Sequence, residues 1–173
     1  EIHESRLIEL IDEEGLNYMS SVVLGLNDAL VEFTGALAGY TFALQHAKLV
    51  ALTGAITGIA AALSMAASEY LSTRTENNVH KNALKAAVYT GIAYVITVVV
   101  LILPFVLLSN VYWGLGVCLF GALVIIAIFN YYYSIVKTES FRHRFTEMAR
   151  ISIGIAAISF LIGYALRVFT GIE

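Results

Sequence analysis

Residues 22–44 read VVLGLNDALVEFTGALAGYTFAL, a long apolar run that contains two carboxylates, Asp28 and Glu32. About 20 apolar residues in a helix are enough to span the hydrocarbon core of a bilayer. Hydrophobic residues make up 59% of the chain and charged residues only 13%, a balance that excludes both a disordered chain and an ordinary soluble domain. The run is therefore predicted to be the first span of an integral membrane protein.

Four further apolar segments have the length of a membrane span: Leu49–Tyr70, Leu84–Leu108, Val111–Tyr133 and Ile151–Phe169. We therefore expect an all-α membrane protein with five transmembrane helices in the lipid bilayer. Eight Lys and Arg residues fall on the side of the N-terminus and two on the other side, which predicts the N-terminus inside and the C-terminus outside. The predicted organisation is an amphipathic, acidic N-terminal helix over residues 1–20, followed by the five-helix transmembrane domain over residues 21–173.

Composition excludes several classes of function. A single cysteine, Cys118, leaves no partner for an internal disulfide and no zinc-finger cluster. The net charge of −3 gives no basic surface for nucleic acid. The spans contain no paired Glu-x-x-His motifs, which an intramembrane di-iron enzyme would need. A transporter or a membrane anchor is therefore expected rather than an enzyme.

Small and acidic residues follow a helical repeat in the first span. Its members are Gly25, Asp28, Glu32, Gly35 and Gly39, which the spacing places on one stripe of a helix. Glycines let another helix approach closely, so the stripe predicts a parallel homodimer through the first helix. Intramembrane carboxylates are costly, and the two on this stripe indicate a cation pathway. The alternative is that Asp28 and Glu32 lie near the interface and are merely solvated.

The second span carries a similar face of small residues, which leads to Met65 and Glu69 one turn apart. Together with Asp28 and Glu32 they form the candidate metal ligands of the chain. Carboxylates alone would suit Mg²⁺ or Ca²⁺, whereas a thioether favours a softer first-row ion. Fe²⁺ therefore fits best, followed by Mn²⁺ and Co²⁺, and protons would compete for the same carboxylates. The alternative for Met65 is ordinary packing.

The later spans carry fewer polar residues. Cys118, Asn130, Ser152 and Ser159 are predicted to pack or to form hydrogen bonds between helices. The links between spans one and two and between spans three and four are very short, so each of these pairs is expected to be antiparallel neighbours.

Two motifs carry a resemblance to a known family. They are the run from Gly25 to Gly39 (GLNDALVEFTGALAG) and the run from Ala62 to Ser72 (ALSMAASEYLS). Together they resemble the vacuolar iron transporter family, as a prokaryotic-type member without its cytoplasmic metal-binding insertion. The resemblance implies a homodimer with the first helices lining the pathway, no resident cofactor, and proton-coupled export of Fe²⁺, with Mn²⁺ as further cargo. It places pathway roles on Asp28, Met65 and Glu69.

The chain departs from the family pattern at two places. The loop between the second and third spans has about a dozen residues, too few for a metal-binding domain, and Glu32 is an additional carboxylate. The opening residues Glu1-Ile-His3-Glu4 resemble the tail of a ferritin-like helix. The alternative function is therefore a membrane anchor or assembly module for an N-terminal iron-binding domain. The expected location is the cell membrane in a prokaryote and the vacuolar membrane in a eukaryote.

Overall fold

Five long helices form the computed structural model, which describes residues 18–76, 81–137 and 140–171. They are α1 (Tyr18–Leu44), α2 (Ala47–Thr75), α3 (Ala83–Leu107), α4 (Val111–Lys137) and α5 (Phe141–Thr170). Each helix is long and apolar enough to cross a membrane, and the described residues contain no strand. The predicted all-α fold with five spans is thus confirmed, while its orientation stays a prediction.

Several helices extend beyond the apolar segments read from the sequence. α1 begins at Tyr18, α2 continues to Thr75, and α5 begins at Phe141. Hydropathy marks only the part of a helix that lies in hydrocarbon, whereas a helix can continue into polar surroundings. The N-terminal helix predicted over residues 1–20 falls outside the described residues, except that residues 18–20 belong to the first turn of α1.

The first helix lies at the centre of the bundle and contacts the other four helices. Ala29, Leu30, Phe33 and Leu37 of α1 are buried almost completely. The connections are short, as predicted: Gln45 and His46 join α1 to α2, and residues 108–110 join α3 to α4. Each helix can therefore pack antiparallel to the next, with the middle of α1 surrounded on most sides.

A wide turn of π-helix interrupts α1 at Ala29–Phe33. Such a turn inserts one extra residue, which rotates everything after it by about 100° relative to the residues before it. On α5, Ser152 donates a hydrogen bond of 2.8 Å from its hydroxyl to the carbonyl of Leu30 inside this turn. The predicted interhelical role of Ser152 is confirmed by this contact.

The glycines of α1 pack against other helices of the same chain. A Cβ on Gly25 would lie 2.3 Å from the backbone oxygen of Thr90 in α3. Gly35 and Gly39 face Ser159 of α5, with atoms at 3.2 and 3.0 Å from an added Cβ. The prediction that these glycines share one stripe facing a second copy is therefore wrong, because the wide turn separates them onto two faces. The homodimer itself stays a prediction.

Candidate functional site

One face of α1 is left uncovered by the other described helices. It borders a groove of about 400 Å³ lined by α1 residues alone. Glu32, one turn beyond Asp28, is exposed beside this groove. We call the groove residues and Glu32 together the open face of α1: Ser20, Val23, Leu24, Asn27, Asp28, Val31 and Glu32.

Two carboxylates occupy the open face near the middle of the helix. Glu32 lies 14 residues after Tyr18 and 12 residues before Leu44, so it lies deep in the span rather than at an end. Asp28 is half-buried, and the two carboxyl groups are close enough to interact electrostatically. A single charge at the centre of a membrane helix costs about 2.5–3.5 kcal/mol on insertion scales. A carboxylate this far from both ends of α1 therefore needs polar surroundings if the span crosses hydrocarbon.

A second cavity of about 500 Å³ adjoins the groove, since Asn27 and Val31 line both. Its other walls come from α4 and α5: Asn130, His143, Arg144, Glu147, Met148 and Ile151. We call it the polar vestibule. The side chain of Glu147 is 63% exposed, so the vestibule is open to the outside of the chain. It extends from the N-terminal part of α5 to the groove that Asp28 lines.

Two polar atoms without a hydrogen-bond partner among the described residues lie near the carboxylate pair. The side-chain oxygen of Asn27 is buried and accepts no hydrogen bond from the described residues. The hydroxyl of Tyr94 on α3 is likewise buried without a partner, and it lies within electrostatic range of Glu32 and Asp28. Buried polar groups are rarely left unpaired. Both atoms are therefore available to water or to an ion near the carboxylate pair.

Sequence reasoning missed the vestibule and Tyr94. An aromatic residue in an apolar span is ordinarily read as packing, so no pattern singled out Tyr94. Glu147 was missed because the fifth span was predicted to begin at Ile151, which left the preceding turns unassigned. Asn130 does have the interhelical role predicted for it, since its amide lies 3.6 Å from the sulfur of Met148.

The carboxylate of Glu69 is already engaged within the chain. It is only 7% exposed and accepts a 2.6 Å hydrogen bond from the hydroxyl of Ser21 on α1. The ammonium group of Lys81 lies 2.8 Å from the same carboxylate oxygen. Glu69 thus joins α1, α2 and the segment before α3.

The four predicted ligands lie at different depths. Glu69 contacts α1 at Ser21, which is seven residues, or about 10 Å along the helix axis, before Asp28. Because α2 runs antiparallel to α1, Met65 lies about 6 Å from Glu69 in the direction of Asp28. Glu32 lies one turn further on. The candidate ligands form a series along α1 rather than one coordination shell.

The described residues do not form a closed metal site by themselves. Within residues 18–76, 81–137 and 140–171, no three His, Cys, Asp or Glu side chains are grouped so that they could hold a metal ion. Met65 is partly buried and packs against the core. Further ligands for an ion at Asp28 and Glu32 would therefore have to come from water or from another molecule at the open face.

The fold and the open face define a multi-pass membrane protein whose central helix exposes a pair of carboxylates. The sequence model of the VIT family matches residues 19–84, which comprise nearly all of α1, the whole of α2 and the start of α3. This match supports membership of the chain in the VIT family and confirms the resemblance seen in the sequence. The family match suggests membrane transport of metal ions. No curated protein sequence matches the chain.

Proposed function

We propose that the protein exports divalent transition-metal ions from the cytosol in exchange for protons. Fe²⁺ is the proposed main cargo, with Mn²⁺ and Co²⁺ as related ions. The observation that carries this proposal is the adjacent pair Asp28 and Glu32 on the open face, deep in the span. Carboxylate oxygens bind divalent ions, and they bind protons when the ion leaves. One pair of groups therefore serves both exchanged species.

A second copy of the chain is the proposed cover for the open face. Exposure of the Asp28 and Glu32 carboxylates to hydrocarbon would be energetically unfavourable. In a two-fold symmetric pair, the same patch on each copy faces its equivalent. Two open faces would then enclose four carboxylates, which is ample charge for one divalent ion. The homodimer is thus supported by the exposed carboxylates and not by the glycines.

The proposed route begins at the Ser20 end of the groove, beside Glu69, and the polar vestibule joins it at Asn27 and Val31. It continues along α1 past Asp28 to Glu32, while Glu69 and Met65 lie beside the earlier part of the series. Mg²⁺ dehydrates reluctantly and is poorly matched to a thioether. Met65 is therefore the proposed source of preference for Fe²⁺ and Co²⁺ over Mg²⁺.

Uptake of Mn²⁺ by proteoliposomes tests the proposal. We expect accumulation when the lumen is more acidic than the bath, together with alkalinisation of the lumen as protons leave. Asp28→Asn and Glu32→Gln should each reduce uptake at least about tenfold, because each removes the charge but keeps the shape. The matched control is Glu76→Gln, since Glu76 is exposed at the end of α2 and lies outside the open face.

Wild-type rates in both pathway variants would contradict the carboxylate route. The absence of any flux by the wild-type protein in either gradient direction would favour the alternative function, a membrane anchor or assembly module. Correct folding of every variant is checked by its elution profile and its thermal unfolding temperature.

A further inference from the structure

A buried ion pair occupies the beginning of the ligand series. The ammonium of Lys81 and the carboxylate of Glu69 are 2.8 Å apart, and their side chains are only 12% and 8% exposed. The hydroxyl of Ser21 donates to the same oxygen, Oε1, at 2.6 Å. The ammonium also lies 3.4 Å from the hydroxyl of Ser20, which lines the groove of the open face. The pair therefore lies next to the Ser20 end of the groove.

The ammonium occupies the position that a cation bound to Glu69 would take. A buried carboxylate needs an opposite charge nearby, because removing one partner from such a pair costs several kcal/mol. The pair as a whole adds little net stability, since both groups had to be desolvated. An arriving cation of higher charge can therefore replace Lys81 without a large loss elsewhere. Lysine suits this exchange because its charge sits at the end of a flexible four-carbon stem.

Lys81 is distinguished from the other cations near this end of the bundle. Lys85 lies over the ring of Tyr18 at 5.9 Å, and Arg74 lies over the ring of Tyr70 at 5.8 Å. Lys81 follows Glu69 by 12 residues, across the short connection between α2 and α3. Lys81 thus places a positive charge beside the route, two residues before the start of α3.

We propose that Lys81 is a tethered counterion that competes with divalent metal ions for Glu69. The inference rests on the proposed function, because it concerns the same route. When no metal is bound, Lys81 neutralises the buried carboxylate. When a metal ion arrives, it displaces the ammonium toward Ser20 and solvent. The competition lowers the affinity of this first station and lets the ion move on to Asp28.

Binding of Mn²⁺ to the purified full chain in detergent tests the proposal without relying on transport. The readout is the rise in unfolding temperature with Mn²⁺ concentration, which yields an apparent dissociation constant. Lys81→Met should lower the unfolding temperature without metal and lower the apparent dissociation constant at least fivefold, the lower end of typical coupling between competing or cooperating ligands. Lys81→Gln removes the charge but keeps a hydrogen-bond donor, and it should lower the apparent dissociation constant by the same factor. It replaces Lys81→Met in the test if that variant does not fold.

The matched control is Lys85→Met, which removes the same charge four residues further along the chain. It should leave the apparent dissociation constant within about twofold of wild type. The double variant Glu69→Gln with Lys81→Met should lose the tighter Mn²⁺ binding of Lys81→Met, because that binding requires the Glu69 carboxylate. An equal gain in Lys85→Met would show a general surface-charge effect and would overturn the proposal. Unchanged or weaker Mn²⁺ binding in both Lys81 variants would do the same and would leave Lys81 as a structural clamp.

Transport distinguishes this inference from the proposed function. In proteoliposomes, Lys81→Met should lower the KM for Mn²⁺ by a similar factor. A wild-type protein that moves no Mn²⁺ would refute the proposed transport, whereas tighter Mn²⁺ binding in Lys81→Met would still establish the competition. Normal wild-type transport with no gain in binding would refute the competition alone.

Discussion

Gly25→Ala tests the internal packing of α1 one turn before Asp28. The added Cβ would lie 2.3 Å from the backbone oxygen of Thr90, whereas real contacts stay above 3.0 Å, so α1 and α3 must separate by about 0.7 Å. Overpacking lowers folding stability by about 1–3 kcal/mol. The loss here should be near the upper end, about 3 kcal/mol, because the backbone oxygen of Thr90 cannot rotate away. Alanine has a higher helix propensity than glycine, which offsets about 1 kcal/mol of this loss. The expected net loss of stability is about 2 kcal/mol.

Gly154→Ala provides the matched control, because no atom lies within 4 Å of a Cβ at that position of α5. Gly154→Ala should be about 1 kcal/mol more stable than wild type, because alanine has a higher helix propensity than glycine. At about 2–4 °C per kcal/mol for a chain of this size, Gly25→Ala should unfold about 4–8 °C below wild type and the control slightly above it. The measurement is thermal unfolding in detergent, followed through the single tryptophan at one scan rate. An unfolding temperature for Gly25→Ala at or above that of the control would refute the packing of α1 against α3.

Three further predictions concern the open face and the series of ligands. Met65→Leu should reduce Fe²⁺ and Co²⁺ uptake more than Mn²⁺ uptake and weaken rejection of Mg²⁺ in competition assays, since it removes only the sulfur; unchanged selectivity would return Met65 to packing. In a background that lacks Cys118, Leu24→Cys should crosslink two copies whereas Gly35→Cys, which faces α5, should not; the reverse pattern would place the interface elsewhere. Ser21→Ala should lower stability by about 1.5–3 kcal/mol by removing a hydrogen bond to a buried carboxylate, and an unfolding temperature equal to wild type would contradict that contact.

The number of spans could be predicted from the sequence because it depends on local hydropathy and length. The exact ends of the helices could not be predicted. α2 continues as a helix through polar residues to Thr75, and α5 begins among polar residues at Phe141. The short link at Gln45 and His46 was predictable for the same reason as the spans, because it is a brief polar interval between two long apolar runs.

The faces of α1 could not be predicted from a simple repeat. A periodicity of 3.6 residues assigned Gly25 and Gly35 to the same stripe, and one wide turn at Ala29–Phe33 moved them to different neighbours. Whether a helix takes such a turn depends on contacts from elsewhere, here including the hydroxyl of Ser152. The motif thus identified the carboxylates but not what the glycines beside them contact.

The candidate site was predictable as a set of residue types but not as a geometry. Asp28 and Glu32 are recognisable because charges are rare within apolar spans. The engagement of Glu69 by Lys81 is a contact between residues 12 positions apart, and no spacing rule describes it. Tyr94 could not be predicted either, because only the folded structure brings its buried hydroxyl near the Asp28 and Glu32 carboxylates.

An anomalous-difference map of crystals soaked in Mn²⁺ tests the central claim most directly. The account predicts two copies paired through their open faces, with a Mn²⁺ peak between the Asp28 and Glu32 carboxylates of both copies. Crystals of Glu32→Gln, soaked in the same way, should lose most of that peak while keeping the fold. A wild-type map with open faces buried against lipid or detergent, and with no Mn²⁺ near either carboxylate, would contradict the account.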